Sequence, residues 1–405
     1  MADAPEPWLT VVGVDDSGPR CLPPTTLAVV EAAEVVVGGE RHHALFKDLI
    51  AERLTWERPI ERSLEAIEAR RGRRVVVLAS CDPFCFGIGG TLSGRFGRRE
   101  MVVIPAPSSA ALVSARLHWP SAGVEVVSLH HAPTSLLARY LWPKRRLIVL
   151  TRDDATHVEV ARLLRVHGYG RSRMVILEHL GGARERIVET TADGPDPGPI
   201  AGLNVLALEC AADPKHDLLP TVPGLPDQVY ESDGMLTRSE VRAITLARLQ
   251  PGPAHRLLDV GAGSGSIAIE WLRAAGRGQA VAVERDPARC AMIMRNAQTL
   301  GTPELEVVQG EAPGCLKGLP TADAVFVGGG LARPGLLDAC YDRLRPGGRL
   351  VANAVTLEGE QALVAYRSTH GGDLLRIGIA HLEPVGRLEG WRPAMPVTQL
   401  AMSRR

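Results

Sequence analysis

Residues 256–270 read RLLDVGAGSGSIAIE. An apolar run ends in Asp259, the glycines Gly261, Gly263 and Gly265 follow at alternate places, and an apolar-periodic helix opens near Ser266. Glycine is required where a backbone turns sharply and approaches a ligand with no Cβ in the way. The helix beyond offers unpaired N–H groups to a carboxylate or phosphate. The next apolar run ends in Glu284, where an acid can accept both hydroxyls of a ribose. Strand, glycine loop, helix, strand and acid in this order predict a doubly wound α/β domain with a nucleoside ligand.

Two nucleoside ligands compete for that loop. A dinucleotide fingerprint asks for G-x-G-x-x-G. Here the third glycine follows the second after a single residue, and Ser266 holds the next place. Asp259 also ends a strand that a dinucleotide fold keeps apolar. An acid there suits a cation such as the sulfonium and amino group of S-adenosylmethionine, and this ligand is the preferred reading. Glu311 and Ala312, in the GEAP stretch 310–313 after the following strand, sit where such sheets contact an adenine. Asp323 opens the run AVFVGGG and is expected to face the same crevice.

Outward from this segment the α/β rhythm is regular. The strand candidates Arg256–Val260, Ala280–Glu284, Leu305–Gln309, Ala324–Gly328, Arg349–Ala354 and Leu374–Ile379 define a domain over 227–405. The stretch 213–226, DPKHDLLPTVPGLP, holds four prolines and no periodicity, and reads as a linker. Before it, short apolar runs recur at Leu9–Val14, Ala33–Val37, Val75–Leu78, Met101–Ile104, Val124–Leu129, Leu147–Leu150, Met174–Leu177 and Leu203–Leu208. Helical stretches near 24–33, 63–70 and 155–167 separate some of them, so residues 8–212 predict a second α/β domain of two lobes, meeting near residue 130.

Composition bounds the function. A chain of 405 residues suggests two or three domains, and 45% apolar with 23% charged residues is ordinary globular material. Lys+Arg and Asp+Glu are both 46, which leaves no basic surplus for nucleic acid or an anionic membrane. Lysine occurs only at Lys47, Lys144, Lys215 and Lys317, and arginine supplies the remaining cations. The seven cysteines are scattered with no C-x-x-C and no nearby histidine for the Cys81/Cys85 pair, so free thiols in a reducing compartment and no metal site are expected. The opening MADAPEPW lacks a signal pattern and no apolar run approaches the ~20 residues of a membrane span. A cytoplasmic protein is expected.

In the first domain three strand-end loops are rich in small or polar residues: DDSGP after Leu9–Val14, SCDPFCFGIGG at 80–90, and PAPSSAAL at 105–112. Together they predict one ligand crevice. Asp15, Asp16 and Asp82 read equally well as turn formers. His130 and His131 read as exposed hinge residues, and Trp119, Trp142 and Trp271 as core.

These loops carry a resemblance. The segments VVGVDDSGP, SCDPFCFGIGG and PAPSSAALVSARLHWP resemble the tetrapyrrole (uroporphyrin-III/corrin) methylase family. SDGMLTRSEVRA, LLDVGAGSGSIAIEW, EVVQGEAP and AVFVGGG are similar, in order and spacing, to the Rossmann-type decarboxylating precorrin methyltransferases. The two sets in tandem cover about residues 8–400. The resemblance implies an N-terminal two-lobed tetrapyrrole methylase fold followed by a doubly wound methyltransferase domain. It implies methylation of a precorrin-6-type tetrapyrrole at C5 and C15, with loss of the C12 acetate carboxyl, in cobalamin biosynthesis. Decarboxylation and C15 methylation would fall to the second domain and C5 methylation to the first.

The resemblance further implies two S-adenosylmethionine sites, one per domain. The C-terminal one falls on Thr237, Asp259, Gly261, Ala262, Gly263, Ser264, Gly265, Glu284, Glu311 and Ala312. The N-terminal one falls on Gly13, Ser80, Cys81, Asp82, Pro83, Gly87, Ser108 and Ser109. Cys81 stands where the family has glycine, and LHHAP stands where relatives have a His-Gly pair. The substrate would be a polycarboxylate clamped by arginines, and the chain a homo-oligomer with no nucleic-acid or membrane partner. No catalytic residue is assigned from the sequence. The competing readings are a nicotinamide-dependent oxidoreductase, and a tetrapyrrole-binding protein whose N-terminal domain is inactive.

Overall fold

A computed structural model describes residues 7–404. The reading of the extreme N-terminus, residues 1–6, lies outside them. The described residues form two compact units: 7–134 with 142–216, and 135–141 with 217–404.

Unit 1 opens with β1 (Leu9–Val14), α1 (Pro24–Glu31), β2 (Val35–Gly38), α2 (Glu40–Leu45), β3 (Glu52–Thr55), α3 (Ile60–Glu68), β4 (Val75–Ser80), α4 (Gly89–Arg95) and β5 (Met101–Ile104). The strands form one parallel sheet in the order β3-β2-β4-β1-β5. β1 and β4 are unbroken apolar runs because both faces are covered, with Val11, Val37 and Val77 packed in one cluster and Val12, Val36 and Val76 in the other. The place of β1 between β4 and β5 sets the three strand-end loops side by side at the carboxyl edge.

The second lobe contains α5 (Ser109–Leu117), β6 (Val124–Ser128), β7 (Arg146–Leu150), α6 (Thr156–Val166), β8 (Arg173–Glu178), β9 (Arg186–Thr191) and β10 (Asn204–Glu209). Its sheet runs β6-β7-β10-β8-β9, parallel only between β6 and β7. The expected lobe junction near residue 130 is corrected here. Val124–Ser128 pairs with β7, and Val113 of α5 shares a core with Ile148, Val175 and Ala207. The change of lobe therefore falls in the loop between β5 and α5, and His130 and His131 are exposed residues within the second lobe.

Unit 2 continues with α7 (Ser239–Leu249), β11 (Arg256–Val260), α8 (Ser266–Ala275), β12 (Gln279–Glu284), α9 (Pro287–Thr299), β13 (Glu306–Gln309), β14 (Ala322–Val327), α10 (Leu336–Asp342), β15 (Leu344–Ala354), α11 (Leu357–His370), β16 (Asp373–Ile377), β17 (Ala380–Val385), β18 (Leu388–Pro393) and β19 (Val397–Ser403). Seven strands line up as β13-β12-β11-β14-β15-β19-β16, with β19 antiparallel to both neighbours. The order reverses between β11 and β14, so a crevice opens at their carboxyl ends. β17 and β18 form a separate hairpin. Ser135 Oγ, which belongs to this unit, donates to Gln298 Oε1 at 2.6 Å, and Arg139 pairs with Glu304. Among the described residues, no helix is long and apolar enough to cross a membrane.

Candidate functional sites

In unit 2 the crevice at the strand-order reversal is a cleft of about 840 Å³. Of the residues named from the sequence, Gly261, Gly263, Glu284, Glu311 and Ala312 line it, together with Met235, Arg285, Arg289, Arg333 and the Gly328–Gly330 backbone. The glycine loop is left-handed at Gly261, Gly263 and Gly265, with φ of 75°, 59° and 78°. A Cβ on Gly265 would also stand 2.7 Å from Ile293 Cγ2, so α8 packs on α9 only without one. Glu284 is fixed from below: one oxygen accepts from Gly263 N at 3.0 Å, the other from Arg285 N at 2.9 Å and Asp286 N at 3.1 Å. The carboxylate is thereby oriented on the wall as a hydrogen-bond acceptor.

Asp259 lies beneath the cleft and is fully buried. Its Oδ2 accepts from Ala268 N at 3.1 Å in the first turn of α8, while Oδ1 has no hydrogen-bond partner among the described residues. Burial pushes its carboxyl up to about 7; the Ala268 N–H opposes the shift and the charge of Glu284 adds to it. Ser264 is buried too, with its carbonyl held by Asn296 Nδ2 at 3.0 Å. Ala262, Ser264 and Gly265 thus shape the loop but do not face the cleft. Thr237 lines an adjoining cavity of about 1260 Å³, whose walls include Val355, Ile377, Ile379 and Met395. Met235 and Gly328 are common to both spaces. Asp323 does not reach the crevice. It sits at the amino end of β14, where it accepts from Arg256 N at 2.8 Å and pairs with Arg345.

The wall segment 224–242 is held by buried charge. Glu270 accepts from Gly224 N, Leu225 N, Tyr230 Oη and Arg242 Nε. Arg242, itself fully buried, pairs also with Asp227 at 2.8 Å and donates to the Leu225 and Thr237 carbonyls. This support went unread in the sequence, because each member looks like an ordinary charge on a helix or in a loop.

In unit 1 a cavity of about 360 Å³ is lined by Ser80, Cys81 and Ser109, and by Asp15, Asp16, Arg41 and His179. Gly13 lies under it: a Cβ there would be 1.9 Å from the Cys81 carbonyl oxygen, so β1 and the 81–83 loop can touch only through glycine. Asp82 accepts from Phe84 N at 2.9 Å, which is its turn role, and Gly87 folds back on Pro83. Ser108 caps α5 by accepting from Ala111 N at 3.1 Å. Gly13, Asp82, Pro83, Gly87 and Ser108 therefore build the loops, while Ser80, Cys81 and Ser109 face the cavity. Cys81 holds a left-handed backbone, φ 54°, and its Sγ receives Ser109 Oγ at 3.5 Å. Burial pushes its thiol pKa up. Asp15 takes the turn role, accepting from Ser17 N and Oγ, whereas Asp16 joins Arg41 and His179. His42 Nε2 stands 3.3 Å from Ser80 Oγ; burial first, then the Arg41 charge, lowers its pKa to about 4.

Comparison with known proteins places both units. Residues 9–195 match the family of Tetrapyrrole (Corrin/Porphyrin) Methylases, and residues 228–404 match the Precorrin methyltransferase domain. The chain is 45% identical over 98% of its length, and 97% of the relative's, to a Sinorhizobium protein named precorrin-6Y C(5,15)-methyltransferase [decarboxylating]. It is 34% identical, over 42% of its length and 89% of the relative's, to a cobalt-precorrin-6B C(15)-methyltransferase (decarboxylating) of Salmonella typhimurium. It is likewise 34% identical, over 44% of its length and 88% of the relative's, to a cobalt-precorrin-7 C(5)-methyltransferase of the same organism.

Proposed function

The chain belongs to the family of decarboxylating precorrin-6Y C(5,15)-methyltransferases, and from that premise we propose how its two units divide the chemistry. It is an enzyme of cobalamin biosynthesis that methylates a precorrin-6-type tetrapyrrole at C5 and C15 and removes the carboxyl of the C12 acetate, using S-adenosylmethionine. Unit 2 carries C15 methylation and decarboxylation, and unit 1 carries C5 methylation. The readings as a nicotinamide oxidoreductase or an inactive binding protein are not favoured by these relatives.

The residues of unit 2 fit a nucleoside sulfonium. Bare backbone at Gly261 and Gly328–Gly330 forms the floor, where a Cβ on Gly261 would come 3.2 Å from Gly329 N. Glu284 presents oriented oxygens for ribose hydroxyls, and Glu311 adds a second acid at the rim. When bound, S-adenosylmethionine supplies an electrophilic methyl group. The protein's part is alignment: the adjoining cavity, apolar along Val355, Ile377, Ile379 and Met395 and charged at Arg238, Glu240 and His381, takes the macrocycle, and its shared wall at Met235 and Gly328 brings the two reactants together. Holding reacting atoms in line lowers a barrier by several kcal/mol, about 7 to 11 in the best-oriented cases. Arg285, Arg289 and Arg333 line the cleft and can exchange their present acidic partners for substrate carboxylates.

The wall that the two cavities share at Met235 and Gly328 is the observation that carries this reading. Calorimetric titration of the full chain with S-adenosylmethionine, with NADH as a control, tests it. Two equivalents are expected, falling to one in Glu284→Ala. A single equivalent in the wild type overturns the two-site reading, and heat from NADH alone overturns the cofactor. Self-association belongs to the same reading, and a monomer by light scattering would remove it.

A further inference from the structure

The unit 1 cavity has a histidine, His179, in its wall. We propose that His179 is the base that takes the C5 proton after methylation and that Asp16 positions it. The assignment rests on C5 methylation being the work of unit 1.

The chemistry requires a proton acceptor. A meso carbon that gains a methyl forms one C–C bond as the donor's S–C bond breaks. C5 then carries the methyl and its original hydrogen together, and the macrocycle carries one added positive charge. Conjugation returns when the C5–H bond breaks: the proton leaves to a base, and the bonding pair enters the ring system and discharges that charge. No oxidant or further reactant is needed.

The geometry supplies such a base. His179 Nδ1 lies 2.9 Å from Asp16 Oδ2, and the two side chains are 14% and 9% exposed. A carboxylate on Nδ1 holds the proton on that nitrogen and leaves the Nε2 lone pair as acceptor. Asp16 is in turn fixed through its other oxygen by Arg41 Nη1 at 3.3 Å. Arg184 Nη2 stands 3.5 Å from the same Nδ1. That nitrogen cannot accept from Arg184 while it holds the proton, so Arg184 acts as a nearby positive charge. The remaining charges around the loop are committed elsewhere: Glu178 to Arg186, Glu185 to Arg116 and Gly181 N, Asp15 to Ser17.

The backbone is shaped for this placement. His179 has φ 49°, a left-handed conformation that a histidine adopts at a cost and that recurs where function fixes a side chain. Two residues on, a Cβ at Gly181 would stand 2.7 Å from Asp15 Oδ2, so the 179–182 loop presses directly on the Asp15–Asp16 loop. The histidine is thereby held over the cavity that Ser80, Cys81 and Ser109 also line, the residues expected to meet the cofactor.

The test uses the full chain and a polycarboxylate tetrapyrrole substrate, with mass spectrometry resolving methylation at C5 from methylation at C15. Two variants keep the loop foldable: His179→Asn, which tolerates the left-handed backbone and retains an N–H for Asp16, and His179→Gly, which opens space for added imidazole. The expected result is a fall of about 100- to 10,000-fold in the C5 rate, a deuterium isotope effect with C5-deuterated substrate, and partial rescue of His179→Gly by imidazole. KM, S-adenosylmethionine affinity, C15 methylation and CO2 release stay near wild type. Asp16→Asn lowers the C5 rate while S-adenosylmethionine affinity stays near wild type, and Asp16→Glu, which keeps a carboxylate for Nδ1, restores part of that rate. A C5 rate within threefold of wild type in both His179 variants overturns the proposal. So does a loss that tracks cofactor affinity and is deaf to imidazole. A wild type that methylates C15 but never C5 overturns the assignment of unit 1 itself, and this base with it.

Discussion

The two clefts solve one problem by different means. In unit 2 the loop that lines the cleft is glycine at each of its left-handed positions, and its support is a layer of buried charge. In unit 1 two of the left-handed loop positions, Cys81 and His179, keep side chains beside left-handed glycines such as Gly181, and the support is contact between loops of two lobes. A single parallel sheet provides a crevice wherever its strand order reverses, so bare backbone suffices there. A crevice between two sheets has to be clasped, and the clasping residues are chemically available. Unit 2 should accordingly be sensitive to its buried charges and unit 1 to its loop backbone.

The largest expected effect lies in the charged layer. Glu270→Ala removes the acceptor of Gly224 N, Leu225 N, Tyr230 Oη and Arg242 Nε together, and leaves Arg242 buried with Asp227 as its remaining counter-charge among the described residues. Breaking a buried pair in this way costs about 3–5 kcal/mol. Hydrogen exchange followed by mass spectrometry should show loss of protection across unit 2 while β1–β5 of unit 1 keep theirs. Equal loss in both units would break the comparison.

The next effect is pH-dependent and again belongs to unit 2. Below the ordinary Asp value of 3.8 the Asp259 carboxyl is protonated in folded and unfolded chains alike and adds no penalty. Between there and about 7 the unfolded chain ionises while the folded one keeps its proton, so stability falls as pH rises. Above that range both are ionised and the penalty is constant. Denaturant midpoints of the ligand-free chain should decline over this window by an amount on the order of a few kcal/mol. Asp259→Asn should remove this contribution, and an unchanged slope in that variant would show the carboxyl to be solvated.

How much of this was legible beforehand follows the same division. The glycine loop, its acid and the strands around it were readable because apolar runs and glycines at fixed offsets report backbone and burial directly. The missed strands have no such signal. β3 (ERLT) and β9 (RIVETT) are half-exposed edges, and β17 and β18 form an exposed hairpin. β19 is an interior strand, between β15 and β16, but it places Thr398 and Gln399 in the core, where Gln399 donates to Thr245 Oγ1 and Asn353 Oδ1. The lobe junction was misplaced because β6 is parallel to β7 and its partner cannot be read from its own residues. In unit 1 the loops were found, yet the residues facing the cavity were mixed with those that build it. Asp16 meets His179 across a separation of 163 residues, which no local pattern encodes.

The smallest effect isolates the loop backbone. Cys81 stands where the resembling family has glycine, and its φ of 54° is a conformation that a Cβ disfavours by about 1–2 kcal/mol. Cys81→Gly should relieve that strain, and the greater freedom of glycine in the unfolded chain offsets part of it. The net gain expected in unit 1 is about 1 kcal/mol or less. Cys81→Val should do the opposite, since a β-branched side chain tolerates this region least. Exchange protection of β1 and β4, whose ends meet at Cys81 N and Val14 O, is the measurement. If glycine stabilises the strands and leaves C5 methylation intact, the side chain at 81 is a tolerated departure in the loop. If glycine stabilises them but slows C5 methylation, the strained thiol beside Ser109 is held there for contact with a ligand, and the two clefts differ in chemistry as well as in construction.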